Sequence, residues 1–384
     1  MFFSGIIYAF IVGSIYLFIR GWQSLEILGR KRVWFAVAFW FVFLIFLAAH
    51  ILRRRGISSE LFEVSFYIGY YTCVILTLYG FLMLLAIDIF RIIVWTIRIK
   101  PDFIYCNLPL NKAIMFGIVC IALSVVLSWG YYNAHFPRTT YVEVSVDKKA
   151  EQLTELRVVM VCDIHLGRIQ GRKLLARIVD TINKQQPDVI LLIGDIFDGS
   201  PIPVIEKNMG IEFDRLQTKY GVYMIASNHE RIGRREERNE ANENLTIAYM
   251  ASHGVETLLD TVILIENSFY LAGRKDYSDH TRKTIPELLS NADRRIPIIL
   301  ADHQPYNLDE AELAGVDLQL SGHTHHGQLF PLNYITRSIY EKDWGFLQKG
   351  KTHFYISCGV GTWGPPFRTA GYSEVVVVDI KLSQ

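Results

Sequence analysis

The chain has 384 residues, 51% of them hydrophobic and 20% charged, with a net charge of +1 and a mean hydropathy of +0.22. The balanced charge gives no argument for nucleic-acid binding, and the hydropathy is high for a chain lying wholly in water. The apolar excess sits in the first third, which argues against one uniform globular domain.

Four apolar runs open the chain. Phe2 to Ile19 is uncharged and ends at Arg20. Val33 to Leu52 is uncharged apart from His50 and is stopped by Arg53, Arg54 and Arg55. Phe66 to Phe90 carries only Asp88, and Ala113 to Tyr132 carries no charge. Each is long enough for a helix to cross a hydrocarbon core, which takes about 20 residues. Buried helices of a soluble protein would need polar faces that these runs lack. Residues 1–132 therefore read as a four-helix transmembrane region with spans at about 2–19, 33–52, 66–90 and 113–132. The first run has neither a basic start nor a small-residue cleavage pattern, so it reads as a retained span. Asp88 is placed at the interface beside Arg91 rather than inside the bilayer.

Basic residues orient the spans. Arg20, Arg30, Lys31 and Arg32 in the first connection and Arg91, Arg98, Lys100 and Lys112 in the third share one side. Arg53 to Arg55 and Arg138 lie on the other. The bias puts the first and third connections inside and the C-terminal domain on the extracytoplasmic side of a multi-pass membrane protein. The five cysteines (Cys73, Cys106, Cys120, Cys162, Cys358) show no pairing pattern and read as apolar thiols.

After Tyr132 the composition changes. Residues 133–140, with Pro137, read as a linker, and 141–384 as one α/β domain with mixed sheets. Tyr141–Val146 alternates as a strand does. Arg157–Cys162 is a near-continuous apolar run, as in a strand buried on both faces, and Val189–Ile193, Gly221–Ala226, Ile298–Ala301 and Val316–Leu320 read as further strands. Helices are expected over 171–186, 204–219, 239–253 and 281–292, with a short one ending near Gly315. A hairpin is expected around Glu266-Asn267-Ser268, and strands over 352–357 and 373–382.

Ligand chemistry in such folds collects past the carboxyl ends of the strands. The five buried strands run into Asp163-Ile164-His165, Gly194-Asp195-Ile196-Phe197-Asp198, Ser227-Asn228-His229-Glu230, Asp302-His303 and Gly322-His323-Thr324-His325. An Asp after one strand is an ordinary turn or cap residue. Metal-ligand types after all five are not. In the last block, the i, i+2 spacing projects both imidazoles to the same side.

In this order the blocks resemble the calcineurin-like metallophosphoesterase superfamily, in particular its membrane-anchored branch. The pattern is Asp-x-His, Gly-Asp-x-x-Asp, Asn-His-Asp/Glu, a lone His, then Gly-His-x-His, and it covers essentially residues 141–384. Ser227 stands where the family usually has Gly, and Asp302 where Ser is common. The resemblance implies two mixed β-sheets sandwiched and flanked by helices, and a binuclear centre. Asp163, His165, Asp195 and His325 would hold one divalent ion, and Asp195, Asn228, His303 and His323 the other, with Asp195 bridging. Mn, Fe and Zn all suit such N and O donors. His229 would be the catalytic residue that serves the leaving oxygen, and Asp198 would hold it.

The expected activity is hydrolysis of a phosphate mono- or diester by metal-activated water, and tethering points to a lipid-linked substrate at the bilayer. The alternative is a catalytically silent membrane sensor or scaffold on the same fold, which should have lost ligands. A third reading reverses the orientation, so that the site faces a cytoplasmic lipid-linked nucleotide. His326 and Gln328 either line the cleft or form an exposed turn. Arg168, Arg172, Arg231, Arg234 and Arg235 either grip phosphate bidentately or, the commoner outcome, lie on solvated loops, and Trp344, Trp363 and Phe367 either wall an apolar or lipid-like substrate or, the favoured reading, serve ordinary packing.

Overall fold

A computed structural model describes residues 2–54, 60–98, 108–151, 153–231 and 236–383. The chain divides into two compact units, Met1–Trp129 and Gly130–Gln384.

The first unit is helical: α1 (Phe2–Ser24), α2 (Val33–Arg54), α3 (Glu60–Thr96) and most of α4 (Pro109–His135). The helices occupy the places of the four expected spans. Among the described residues two stretches, Gly69–Thr96 and Pro109–His135, are long and apolar enough to cross a membrane, so two spans rather than four meet that test. Small residues let α1 and α3 approach: a Cβ on Gly13 would stand 2.9 Å from Thr77, and one on Gly80 would stand 3.0 Å from Leu17. Asp88 accepts hydrogen bonds from Tyr16 and Arg20 of α1 and pairs with Arg91 at 3.3 Å. The carboxylate is thus neutralised across α1 and α3, not by Arg91 alone.

In the second unit the last turn of α4 ends at His135 and the first strand starts at Arg138, inside the segment read as linker. The elements that follow, in chain order, are β1 (Arg138–Lys149), β2 (Glu155–Val161), α5 (Arg172–Asn183), β3 (Val189–Ile193) and α6 (Ile202–Glu206). Then come β4 (Val222–Ile225), α7 (Glu236–Ser252), β5 (Val255–Thr257), β6 (Thr261–Ile265), β7 (Phe269–Gly273), α8 (Ile285–Leu288) and β8 (Ile298–Ala301). The remainder is α9 (Leu308–Leu313), β9 (Leu318–Ser321), α10 (Asn333–Ile339), β10 (Gly345–Lys349), β11 (Thr352–Ile356) and β12 (Glu374–Ser383).

The strands form two mixed six-stranded sheets, ordered β1-β12-β2-β3-β4-β5 and β10-β11-β9-β8-β7-β6. Alternate residues explain why the central strands read as unbroken apolar runs. In β2, Val158 and Met160 join a core shared with Leu271, Ile299 and Leu320 of the other sheet. Val159 and Val161 face the opposite way, onto Leu174, Leu175, Ile178, Val179 and Ile182 of α5. The outer face of the second sheet is covered by Leu288 of α8 and by Leu308 and Ala311 of α9. This gives a helix–sheet–sheet–helix sandwich. Strands β2, β3 and β4 are mutually parallel, as are β8 and β9, so successive carboxyl ends lie side by side.

Two expected helices are shorter than read. The 204–219 segment is broken at Asn208, which adopts a left-handed φ of 45°, into α6 and a 3-10 turn over Met209–Arg215. The 281–292 segment keeps only the capped turn of α8, opened by a Thr284–Glu287 capping box. The edge strands β5 and β10 and the helix α10 were not expected. All three are short, and β5 and β10 are set by the strands they pair with rather than by periodicity.

Candidate metal centre

Each strand-end loop is held by the next. Asp163 N donates to Gly194 O (3.0 Å), His165 N to Asp195 O (2.9 Å) and Gly322 N to His303 O (2.9 Å). This lacing forces unusual backbone. Asp163, His165, Asp195, His323 and His325 all have φ between 49° and 69°. Left-handed conformations of this kind cost of order 1–3 kcal/mol each and persist where the surrounding structure over-determines them. Gly194 has a φ of 70°, and a Cβ there would lie 2.6 Å from His303 Nδ1.

The donors form overlapping clusters with ligand atoms within 4.8 Å of one another: Asp163, His165, Asp195 and His325; Asp195, His303 and His323; and His165, Asp198 and His229. Asp195 belongs to the first two. Its Oδ1 accepts from Ser227 Oγ (2.5 Å) and His229 N (3.1 Å). Its Oδ2 faces His303 Nε2 at 3.3 Å and His165 Nε2 at 3.8 Å. One oxygen, not two, is therefore presented to both clusters. His325 Nε2 lies 3.0 Å from His165 Nε2 and 3.3 Å from Asp163 Oδ1.

These contacts suit a bound cation. His303 Nδ1 is 2.9 Å from the carbonyl of Ile193, so this nitrogen carries the proton. Nε2 then points a lone pair at a carboxylate oxygen, and it has no hydrogen-bond partner. Burial lowers the His303 pKa, but the Asp195 carboxylate outweighs it and lifts it to about 10, so without a metal a proton fills the gap. Burial and the neighbouring His303 push His323 down to about 4. Burial, His165 and Arg368 push His325 down as well. Both imidazoles are thereby held neutral, as ligands must be.

Asp198 is shared in a way the sequence did not suggest. Its Oδ1 faces His229 Nδ1 at 3.5 Å and also His165 Nδ1 at 3.7 Å. Burial acts to raise its pKa, but the two imidazoles outweigh this and hold the carboxyl well below the usual range. Asn228 is half-buried, and its Oδ1 accepts from Gln304 Nε2 at 3.1 Å.

Other residues organise the site, and of these Ser227 and Glu230 stand in the sequence block while Arg368 was not read from the sequence. Glu230 is fully buried and accepts from the backbone N–H groups of Asp195, Phe197 and Ser227. Ser227, in place of the usual Gly, uses its hydroxyl on Asp195, so it ties down the turn that carries Asn228 and His229. Arg368 is fully buried; its Nη2 lies 3.2 Å from His325 Nδ1 and donates to Gly361 O at 2.6 Å. No local motif marks an arginine forty-three residues away from the histidine it supports. Arg368→Met removes a buried donor from Gly361 O and should destabilise the domain by about 1–3 kcal/mol, as measured by thermal unfolding. Gly361→Ala would bring a Cβ to 2.0 Å from Ile164 O. Overpacking of that kind costs about 1–3 kcal/mol, so thermal unfolding of the variant should shift down by several degrees.

Of the remaining expectations, His326 is buried with Nδ1 2.8 Å from Asp343 Oδ2, a structural role. Gln328 bonds Trp363 and Pro365 backbone. Arg172 pairs with Glu212, and Arg231 with Asp279 and Glu243. Arg234, Arg235 and Cys106 lie outside the described residues. Trp344 packs on His326 and Tyr372, Phe367 is buried, and Trp363 is exposed.

The calcineurin-like phosphoesterase family model matches residues 156–327. An uncharacterised metallophosphoesterase of Campylobacter jejuni is 28% identical over 98% of both chains. One of Aquifex aeolicus is 30% identical over 66% of this chain and 95% of its own length. A "transmembrane protein with metallophosphoesterase domain" of Danio rerio is 30% identical over 69% of this chain and 62% of its own.

Proposed function

Because the chain belongs to the calcineurin-like metallophosphoesterases, metal-dependent hydrolases of phosphoester bonds, we propose that its second unit hydrolyses a phosphate mono- or diester at a two-ion centre bridged by Asp195. The observation that carries this is Asp195 Oδ2, shared by two donor clusters and facing an imidazole lone pair.

Asp163, His165, Asp195 and His325 would hold one divalent ion, and Asp195, Asn228, His303 and His323 the other. Such ions would supply a water of lowered pKa and positive charge opposite the phosphate. His229 stands beside this centre with its backbone N–H on Asp195 and its Nδ1 toward Asp198. That anchoring leaves Nε2 to give a proton to the departing oxygen. Burial opposes its protonated form, but Asp198 and Asp195 outweigh burial and raise its pKa. Asp198 aims His229 and His165 together, so one carboxylate sets the position of a ligand and of the proton donor.

The reading extends to the membrane. We take the chain as multi-pass with four spans, the catalytic unit extracytoplasmic, and the substrate a phosphoester at the bilayer. The basic residues of the first and third connections support the orientation. A topology reporter fused after Gln384 tests it, since a cytoplasmic signal reverses the assignment. The full chain purified with Mn, Fe or Zn should hydrolyse aryl phosphate mono- or diesters and lose this on chelation. No turnover with any divalent ion would sink the proposal.

A further inference from the structure

Helix α10 is inside out. Asn333, Thr336 and Tyr340 recur at i, i+3 and i+7 and face the domain: Asn333 is buried, and Thr336 Oγ1 donates to Asp343 Oδ2 at 2.8 Å. Leu332, Ile335 and Ile339 recur on the other face, and with Tyr334 they are 40%, 55%, 59% and 60% exposed. Arg337 and Ser338 are exposed beside them, so the outward side of this short helix sets leucine, isoleucine and tyrosine next to one cation and one hydroxyl, a mix that suits a headgroup boundary rather than water alone.

The neighbour is indicated by what adjoins α10. Just before the helix, Phe330 N donates to Thr369 Oγ1 at 3.0 Å. The Thr369 methyl lies 3.1 Å from the place a Cβ would take on Gly130, five residues before the end of α4. Arg368 N donates to Gly130 O (2.8 Å), and Ser373 N to Asn133 O (2.8 Å). One residue, Thr369, thus joins the segment leading into α10 to the end of a helix long and apolar enough to cross a membrane. That end carries exposed Trp129, Tyr131, Tyr132 and Phe136, the aromatic belt expected where a span leaves the bilayer. At its other end, α10 reaches the metal centre. The Tyr340 ring stands edge-on to His323 with centroids 6.3 Å apart, and its hydroxyl lies 3.1 Å from that of Tyr306. Tyr306 in turn packs on Tyr277 at 4.8 Å.

We propose that Leu332, Tyr334, Ile335 and Ile339 form a membrane-docking face that seats α10 in the bilayer surface beside the end of α4. The face holds the aromatic wall Tyr340–Tyr306–Tyr277 where a phosphoester with a lipid tail leaves the membrane for the metal centre. This rests on the reading of the chain as membrane-anchored, and it adds a second, interfacial contact made by the catalytic unit itself. The contact is shallow, since faces of this kind bury only about 5–10 Å into the headgroup region.

The test uses the full chain in vesicles of phosphatidylcholine and phosphatidylglycerol, with Cys73, Cys106 and Cys120 replaced by serine. An environment-sensitive fluorophore is placed on Ile335→Cys, on Leu264→Cys, or on a retained Cys120. Leu264 is exposed on β6, at the sheet edge opposite β10. With lipids spin-labelled near the headgroup, the label at 335 should lose about half its emission, as the shallow depth of such a face requires, and the label at 264 should lose none. Equal emission at 335 and 264 with Cys120 quenched by deep-labelled lipid overturns the docking face and leaves the anchoring intact. No quenching at Cys120 either overturns both. A label at 335 that is shielded from lipid in a chain eluting as a dimer assigns the face to a second copy and equally overturns the proposal.

Discussion

Asp195→Asn should empty both ion sites and reduce hydrolysis to less than about a hundredth, beyond the 10–100-fold typical when only an orienting group is lost. The substitution keeps the shape and the acceptor oxygen that Ser227 and His229 N bond. It can replace Oδ2, the atom facing both His303 and His165, with an amide that carries protons. A donor aimed at both clusters cannot bridge cations. Asp163→Asn is the matched comparison. Asp163 serves only the cluster with His165 and His325, so its loss should remove one ion and spare the other. Metal analysis of the two purified variants beside the parent chain reads this directly. Loss of a single ion from Asp195→Asn would refute the bridge.

His229→Ala should leave the ions in place and lower kcat by about 10²–10⁴-fold, the usual contribution of a positioned proton donor. At about 1.36 kcal/mol per decade this is roughly 3–5 kcal/mol of transition-state stabilisation. The side chain lies in the cluster with Asp198 and His165, not in the two clusters that share Asp195. The loss should therefore depend on the leaving group. An alkyl phosphate, whose alkoxide needs a proton, should show the full effect, and p-nitrophenyl phosphate, whose phenolate departs unaided, should show much less. Equal losses on both substrates, or loss of metal, would remove His229 from the role of proton donor.

Much of the fold was legible because its signals are local. Strands β3 and β8 are uninterrupted apolar runs and β2 is nearly one, since they are covered on both faces, and each runs on to a polar residue where the sheet ends. The turn at Asn208 and the capped fragment α8 were misread as longer helices because helical spacing continues through residues whose backbone does not. Strands β5 and β10 exist through the pairing they complete at the sheet edges, which no periodicity of their own announces.

At the metal centre the division is sharper. The sequence by itself determined the donor chemistry: five strand ends bearing Asp, His and Asn, because a ligand's identity and its place after a strand are both written locally. Tertiary structure alone decided how those donors share the work. It turned one Asp195 oxygen to both clusters, set Asp198 behind His165 as well as His229, brought Arg368 to the back of His325, and left the apolar face of α10 outward. Each depends on which side chain of a distant segment fills the space beside a ligand. That is settled by packing of the two sheets and their loops, and it leaves no trace in the spacing of residues along the chain.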